Sequence, residues 1–377
     1  MQVVNASQIL PGMVLAEDVK TKSGQVIMDK GTVLNERLIA RLDFYSISSI
    51  TIESSEPSEP QVTEQPKAPD PEPQPSQQKF LEAGRASYSQ KIQRSSKFRS
   101  FQVSYTRCVL NTKESFNQIK NGQYPGSSAL LSSSLNVINE FHLNAMDLFD
   151  MLQNMRVVDD AIYAHCVNVA CIVRVFGKWM KYDKERINLL TLAGLLHDIG
   201  KTMIPSSILD KQEKLTDAEY QICQMHTYYG YDLLKNLPVP KEVLSAAKSH
   251  HELCDGSGYP DHLKSDDIDD ITLMVGVADI YDAMTAARSY RAPICPFTVI
   301  KHFEDAGLQK YRADILMTFL SHIAGTHLHN RVLLSDGSQA TIMMLNEKKL
   351  SRPLVQFDDG KVLDLSYDRS LDIIQML

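Results

Sequence analysis

The sequence has no surplus of basic residues. Lysine and arginine total 39 against 46 acidic residues, for a formal charge of -7. That argues against a binder of nucleic acid polymers, whose surface is normally basic. A small anionic substrate stays compatible, because a few local cations outweigh a global sign. Cysteine is scarce and unpatterned: Cys108, Cys166, Cys171, Cys223, Cys254 and Cys295 form no Cys-x-x-Cys pair. This argues against a disulfide framework or zinc knuckle and suits reduced thiols. No apolar run reads as long enough to span a bilayer. Met1–Leu10 carries polar Gln2, Asn5 and Ser7 and lacks the basic start and apolar core of a signal peptide. The expectation is a cytoplasmic protein with no membrane span.

What is present suffices for two or three units with a sizeable core: 377 residues, 43% apolar and 23% charged. Residues 1–53 read as a small α+β unit. Pro11-Gly12, Ser23-Gly24 and Lys30-Gly31 mark turns, Asn35–Asp43 a short helix and Ile50–Ile52 a closing strand. Residues 54–79 are dominated by Pro, Glu, Gln and Ser. Such a segment buries too little apolar surface to offset its ordering entropy, and it reads as a disordered linker. Residues 80–328 are predicted helical, with apolar positions at helical spacing over Leu131–Met155 and further apolar helices over Ala164–Met180 and Ile187–Leu196. Residues 329–377 show short apolar runs around Ser335-Asp336-Gly337 and Asp358-Asp359-Gly360, predicted as two hairpins in a small β appendage. The expected fold class is mainly α, with strand-containing units at both ends.

The chemistry concentrates in His165, His197-Asp198, His226, His250-His251 and Asp279, with Lys201 close behind. Imidazole and carboxylate suit zinc, iron, manganese and related ions. This set is too large for one ion with an open position and about right for two ions sharing a carboxylate. His197-Asp198 ends the apolar run Leu189–Leu196, and Asp279 interrupts the apolar stretch Leu273–Met284. A buried carboxylate there needs a partner, and a cation supplies one. Taken singly, each position has an ordinary explanation. His165 could be a hydrogen-bonded core residue, His197-Asp198 a helix C-cap and His250-His251 a solvated helix end.

Two motifs carry a resemblance. His250-His251-Glu252-Leu253-Cys254-Asp255-Gly256-Ser257-Gly258-Tyr259-Pro260 resembles the HHExxDGxGYP signature of the HD-GYP family, and His197-Asp198-Ile199-Gly200-Lys201 its HDxGK signature. The similarity covers about residues 150–325. It implies an all-helical HD-type catalytic domain, and an activity of hydrolysing cyclic di-GMP. It implies His165, His197, Asp198, His226, His250, His251 and Asp279 as metal ligands. Asp198 would bridge two divalent transition-metal ions, iron or manganese. Lys201 would contact substrate phosphate or the bridging ligand, Arg288 and Arg291 would contact substrate phosphate, where guanidinium suits bidentate bonding, and Tyr259 would line the pocket. Without the family, Arg288 and Arg291 read as solvated helix-end residues, and Gly256, Gly258 and Pro260 as a tight turn. Cys166 and Cys254 read as packing residues, and Asp282 as an acid behind the ligands. Some members carry a Glu one turn before the first histidine, which helps hold a third metal; here that position is Ala161.

The implied reaction is metal-assisted hydrolysis to linear pGpG. A water shared by both ions is deprotonated and attacks phosphorus, and Asp198 and Lys201 serve the chemistry. Other readings stay open: hydrolysis of another cyclic dinucleotide or nucleotide, or a cyclic-dinucleotide sensor with little turnover. Homodimerisation, for instance through Leu131–Met155, and a signalling partner for the N-terminal unit are left undecided.

Overall fold

The computed structural model describes residues 2–5, 13–20, 26–28, 30–34, 49–52, 92–132, 143–155, 161–211, 213–285, 294–307 and 309–377. Two compact units divide the chain, Met1–Leu81 and Glu82–Leu377. The expected helix Asn35–Asp43, the linker 54–79, and Arg288 with Arg291 lie outside the described residues.

The first unit pairs β1 (Gln2–Asn5) with β4 (Ser49–Ile52), and β2 (Val19–Lys20) with β3 (Val26–Met28), both antiparallel. Leu15 bridges to Ile52. Val4, Leu15, Val19, Met28, Leu34, Ile50 and Ile52 form its small core. The strand expected at Ile50–Ile52 is therefore present, within β4.

The second unit is mainly helical. Its described helices include α1 (Ser96–Lys120), α2 (Ala145–Asn154), α3 (Ala161–Trp179) and α4 (Lys184–Leu196). A 3-10 turn (Ile199–Met203) leads toward α5 (Asp217–Gln224), α6 (His226–Leu234) and α7 (Lys241–Ser249). Then follow α8 (Asp270–Thr285), α9 (Pro296–Ala306) and α10 (Ala313–Thr326). Side chains cap several starts: Asp183 accepts from the amide of Arg186 at α4, and Thr216 with Glu219 forms a reciprocal box at α5. α3, α4 and α8 are apolar on nearly every side because they are enclosed. Against the expectation from sequence, α3 is long and apolar enough to cross a bilayer, but 67% of its most apolar stretch is buried inside the fold.

The C-terminal strands form one antiparallel sheet, ordered β8 (Val362–Asp364), β7 (Leu354–Phe357), β6 (Gln339–Met344), β5 (Arg331–Leu334), β9 (Ile373–Met376). The two hairpins are β5 with β6, and β7 with β8. A further strand beyond the two expected hairpins, β9, pairs with β5 at one edge. Val332, Leu334, Ala340, Ile342, Val355 and Ile373 join the same buried core as the helices. Polar ties add to this: Ser351 donates to Glu304 at 2.5 Å, and Lys301 lies 3.1 Å from Asp372.

Candidate metal centre

The site forms where α3, the end of α4, the 3-10 turn, the start of α6, the end of α7 and α8 converge. His165 projects from α3, His197 caps α4, and Asp198 opens the 3-10 turn. His226 begins α6, His250 caps α7 with His251 after it, and Asp279 lies within α8. Two glycines permit the approach. A Cβ on Gly200 would lie 1.9 Å from the His226 carbonyl oxygen, and one on Gly276 would lie 2.4 Å from the His250 carbonyl oxygen. The backbones that carry the histidines are therefore in direct contact with the 3-10 turn at Gly200 and with α8 at Gly276.

Three imidazoles are oriented by main chain. Nδ1 of His197 donates to Gly194 O at 2.8 Å, that of His226 to Cys223 O at 2.6 Å, and that of His250 to Ala246 O at 2.8 Å. A carbonyl only accepts, so each Nδ1 holds the proton and each Nε2 turns a lone pair inward. His165 is oriented by a carboxylate instead, its Nδ1 donating to Asp282 Oδ2 at 2.7 Å. That is the outer-acid position expected for Asp282.

All seven predicted residues meet, in two sets that share Asp198. Asp198 Oδ1 faces His226 Nε2 at 3.3 Å and His250 Nε2 at 3.6 Å. Asp198 Oδ2 faces His165 Nε2 and His197 Nε2, each at 3.5 Å. Asp279 Oδ1 lies 2.9 Å from His165 Nε2 and 3.9 Å from His197 Nε2, while its Oδ2 lies 3.7 Å from His251 Nδ1. Donors bound about 2.1 Å from one ion sit roughly 3–3.5 Å from each other, and within the two sets the separations above run from 2.9 to 3.9 Å, close to that spacing.

The donor set fits a divalent cation. His197 Nε2 and Asp198 Oδ1 are buried without a hydrogen-bond partner, and an unsatisfied buried polar atom costs about 1–3 kcal/mol. The protonation pattern also suits a cation. Burial opposes ionisation of Asp198, but Lys201 and the surrounding histidines outweigh it and hold the carboxyl well below its usual range. Asp279 is likewise held low against its burial, chiefly by His165 and His197. Burial pushes His226 down to about 3 and lowers His197 and His251. His165 differs: burial disfavours its charge, yet hydrogen bonds to Asp279 and Asp282 raise it to about 9. Neutral rings and ionised carboxylates are what a metal needs, and a cation binding at His165 Nε2 would displace the proton that this ring shares with Asp279. Lys201 bonds Asp198 Oδ2 directly.

Tyr259 stacks on His251, with ring centres 4.6 Å apart. The loop that carries it is pinned by buried Glu252, which accepts from the amides of Asp261 at 2.6 Å and Leu263 at 3.0 Å. Ala161 is exposed at the start of α3, one turn before His165. Nothing in the motifs points to Glu252's role, to Asn168, which donates to Asp282 Oδ1 at 2.9 Å, or to Tyr105, which donates to Asn168 Oδ1 at 2.6 Å. Asn168 was recoverable, since it stands three residues after His165 and shares its helix face. Tyr105, on a different helix, left no local signal.

Residues 132–314 match the HD domain family. Over 183 residues the chain is 32% identical to a cyclic di-GMP phosphodiesterase of Thermotoga maritima, a match covering 48% of this chain and 49% of that one. Over 141 residues it is 35% identical to a cyclic di-GMP phosphodiesterase of Pseudomonas aeruginosa, covering 37% of this chain and 34% of that one. Over 135 residues it is 38% identical to the 3'3'-cGAMP-specific phosphodiesterase 2 of Vibrio cholerae, covering 34% and 25% respectively. The chain thus spans between about a quarter and a half of the length of these relatives.

Proposed function

We infer that this chain, whose residues 132–314 form an HD domain of the HD-GYP type, is a cytoplasmic metal-dependent phosphodiesterase that opens cyclic di-GMP to linear pGpG. The observation that carries the reading is Asp198, whose two oxygens each face a separate set of histidines. His165, His197, Asp198 and Asp279 would hold one ion, and Asp198, His226, His250 and His251 a second. Iron or manganese suits these donors. When bound, such ions lower the pKa of water and polarise the phosphoryl oxygens.

The remaining work falls to side chains. Lys201, already beside Asp198, supplies positive charge to a phosphoryl oxygen and a proton donor near the departing 3′-oxygen. Arg288 and Arg291 stabilise charge on the phosphoryl oxygens of the substrate. Tyr259 offers a flat apolar face beside His251, suited to a base or ribose of the substrate. No side-chain nucleophile is required.

Anaerobic turnover of cyclic di-GMP with added iron or manganese, followed by chromatography, tests the reading. The expected product is pGpG, with little GMP. The second cut must neutralise an extra terminal phosphate, and the methyl of Ala161 cannot hold another ion to do so. No turnover of any cyclic dinucleotide by metal-loaded protein, with binding retained, would make it a sensor instead. The likeness to a 3'3'-cGAMP-specific relative favours 3'3'-cGAMP as the second substrate to assay.

A further inference from the structure

The polar contacts behind His165 continue beyond Asp282. The two oxygens of this buried carboxylate are divided between two donors. Oδ2 takes the His165 Nδ1 proton at 2.7 Å, and Oδ1 takes a proton from Asn168 Nδ2 at 2.9 Å. Asn168 is itself buried, and its Oδ1 accepts from the Tyr105 hydroxyl at 2.6 Å. That hydroxyl also lies 3.1 Å from the Ala164 carbonyl oxygen, on the turn that carries His165. The Tyr105 ring is fully enclosed and stacks on Phe101, with centres 5.8 Å apart.

The direction of these bonds is set by chemistry. An amide turned over would press its oxygen against the Asp282 carboxylate, so Nδ2 must face it and Oδ1 must face Tyr105. Burial, reinforced by the Asp282 charge, holds the Tyr105 phenol protonated. With a donor on each oxygen, Asp282 cannot swing away. An imidazole whose Nδ1–H is given to a fixed carboxylate presents its Nε2 along one line. For His165 that line leads to Asp279 and Asp198.

We propose that Tyr105 and Asn168 are positioning residues of the metal centre, orienting His165 through Asp282 for one of the two ions. The inference rests on the two-ion reading above. It makes α1 part of the site, although Tyr105 precedes the segment 132–314 that matches the HD domain. It is also one-sided: these bonds reach His165 and do not touch His226, His250 or His251. Loss of the relay should therefore loosen one ion and spare the other.

The test follows metal release from the full chain. Parent, Tyr105→Phe and Asn168→Leu are loaded anaerobically with manganese and challenged with a chelator, and metal per chain is followed over time. Tyr105→Phe deletes one oxygen and keeps the stacked ring, so it covers the case in which Asn168→Leu fails to fold. Loss of such an outer partner typically costs 10–100-fold in metal affinity. One ion should leave about 10–100-fold faster from Asn168→Leu and several-fold faster from Tyr105→Phe, with the other leaving at the parental rate. kcat for cyclic di-GMP should fall with KM little changed. Release of both ions at the parental rate, or equal acceleration of both, overturns the relay. A parent that takes up no metal overturns the two-ion reading itself, which is a different result from a parent holding two ions that the variants release alike.

Discussion

Gly200→Ala isolates the close approach on which the site is built. The glycine lies in the 3-10 turn after Asp198, where alanine is normally favoured by about 0.5–1 kcal/mol through chain entropy. Here its methyl would meet the His226 carbonyl oxygen at 1.9 Å and the Gly230 amide nitrogen at 2.4 Å, against an ordinary contact of 3.4–4 Å. Both opposing atoms are main chain, so no side chain can rotate aside, and α6 must retreat by roughly 1 Å or more. Overpacking of this kind costs about 1–3 kcal/mol, and rigid backbone on the opposing side places the net loss near the top of that range. The retreat carries His226 away from Asp198 Oδ1, now 3.3 Å from its Nε2. A misplacement of about 1 Å costs on the order of 100-fold in rate. Gly230→Ala is the matched control, because its methyl would meet neighbours only at 3.5–3.7 Å. Urea unfolding of metal-free protein, with metal content and turnover measured separately, reads each effect. If Gly200→Ala equals Gly230→Ala in stability and turnover, the backbone contact does not set the site and the reasoning fails.

Asp198→Ala should remove most of both ions together with activity, since both sets share this carboxylate; elemental analysis showing one ion retained at full occupancy would contradict the bridge. Arg288→Ala and Arg291→Ala should each raise KM for cyclic di-GMP by the equivalent of about 1.5–3 kcal/mol at constant metal content, and parental binding in both would return them to the surface. His327 is buried with neither ring nitrogen hydrogen-bonded, and burial lowers it to about 4. It stays neutral in the fold while the unfolded chain takes up a proton near pH 6.5. Its contribution is therefore intact above about pH 6.5 and lost as pH falls toward 4, by up to roughly 3 kcal/mol. His327→Phe should flatten this part of the acid-stability curve in thermal melts between pH 7 and 4.5, and an unchanged slope would refute the assignment.

Much of the site was legible because its signals are local. His197-Asp198 closes an apolar run, Asp279 breaks one, and the two motifs retain order and spacing. The helices that carry them follow from long apolar runs: Ile187–Leu196 falls inside α4, and Leu273–Met284 inside α8. Other features lacked such a signal. β9 is four residues long and finds its partner β5 far back in the chain. The apolar length of α3 was also undervalued, since His165 and Asn168 interrupt it in sequence while burial accommodates both in space.

From the sequence alone came the helical class, the strands at both ends and the identity of the candidate metal-binding side chains, all carried by short windows of residue type and motif. The tertiary structure decided which side chains meet. His165 reaches Asp279 across 114 residues, and the division of the histidines between the two oxygens of Asp198 depends on how α3, α4, α6 and α7 pack around one turn. The same holds for Tyr105, 63 residues from Asn168, and for Gly200, whose missing side chain matters only because α6 lies against it. Such contacts arise when buried faces of distant segments close on a common core, and spacing along the chain carries no record of them.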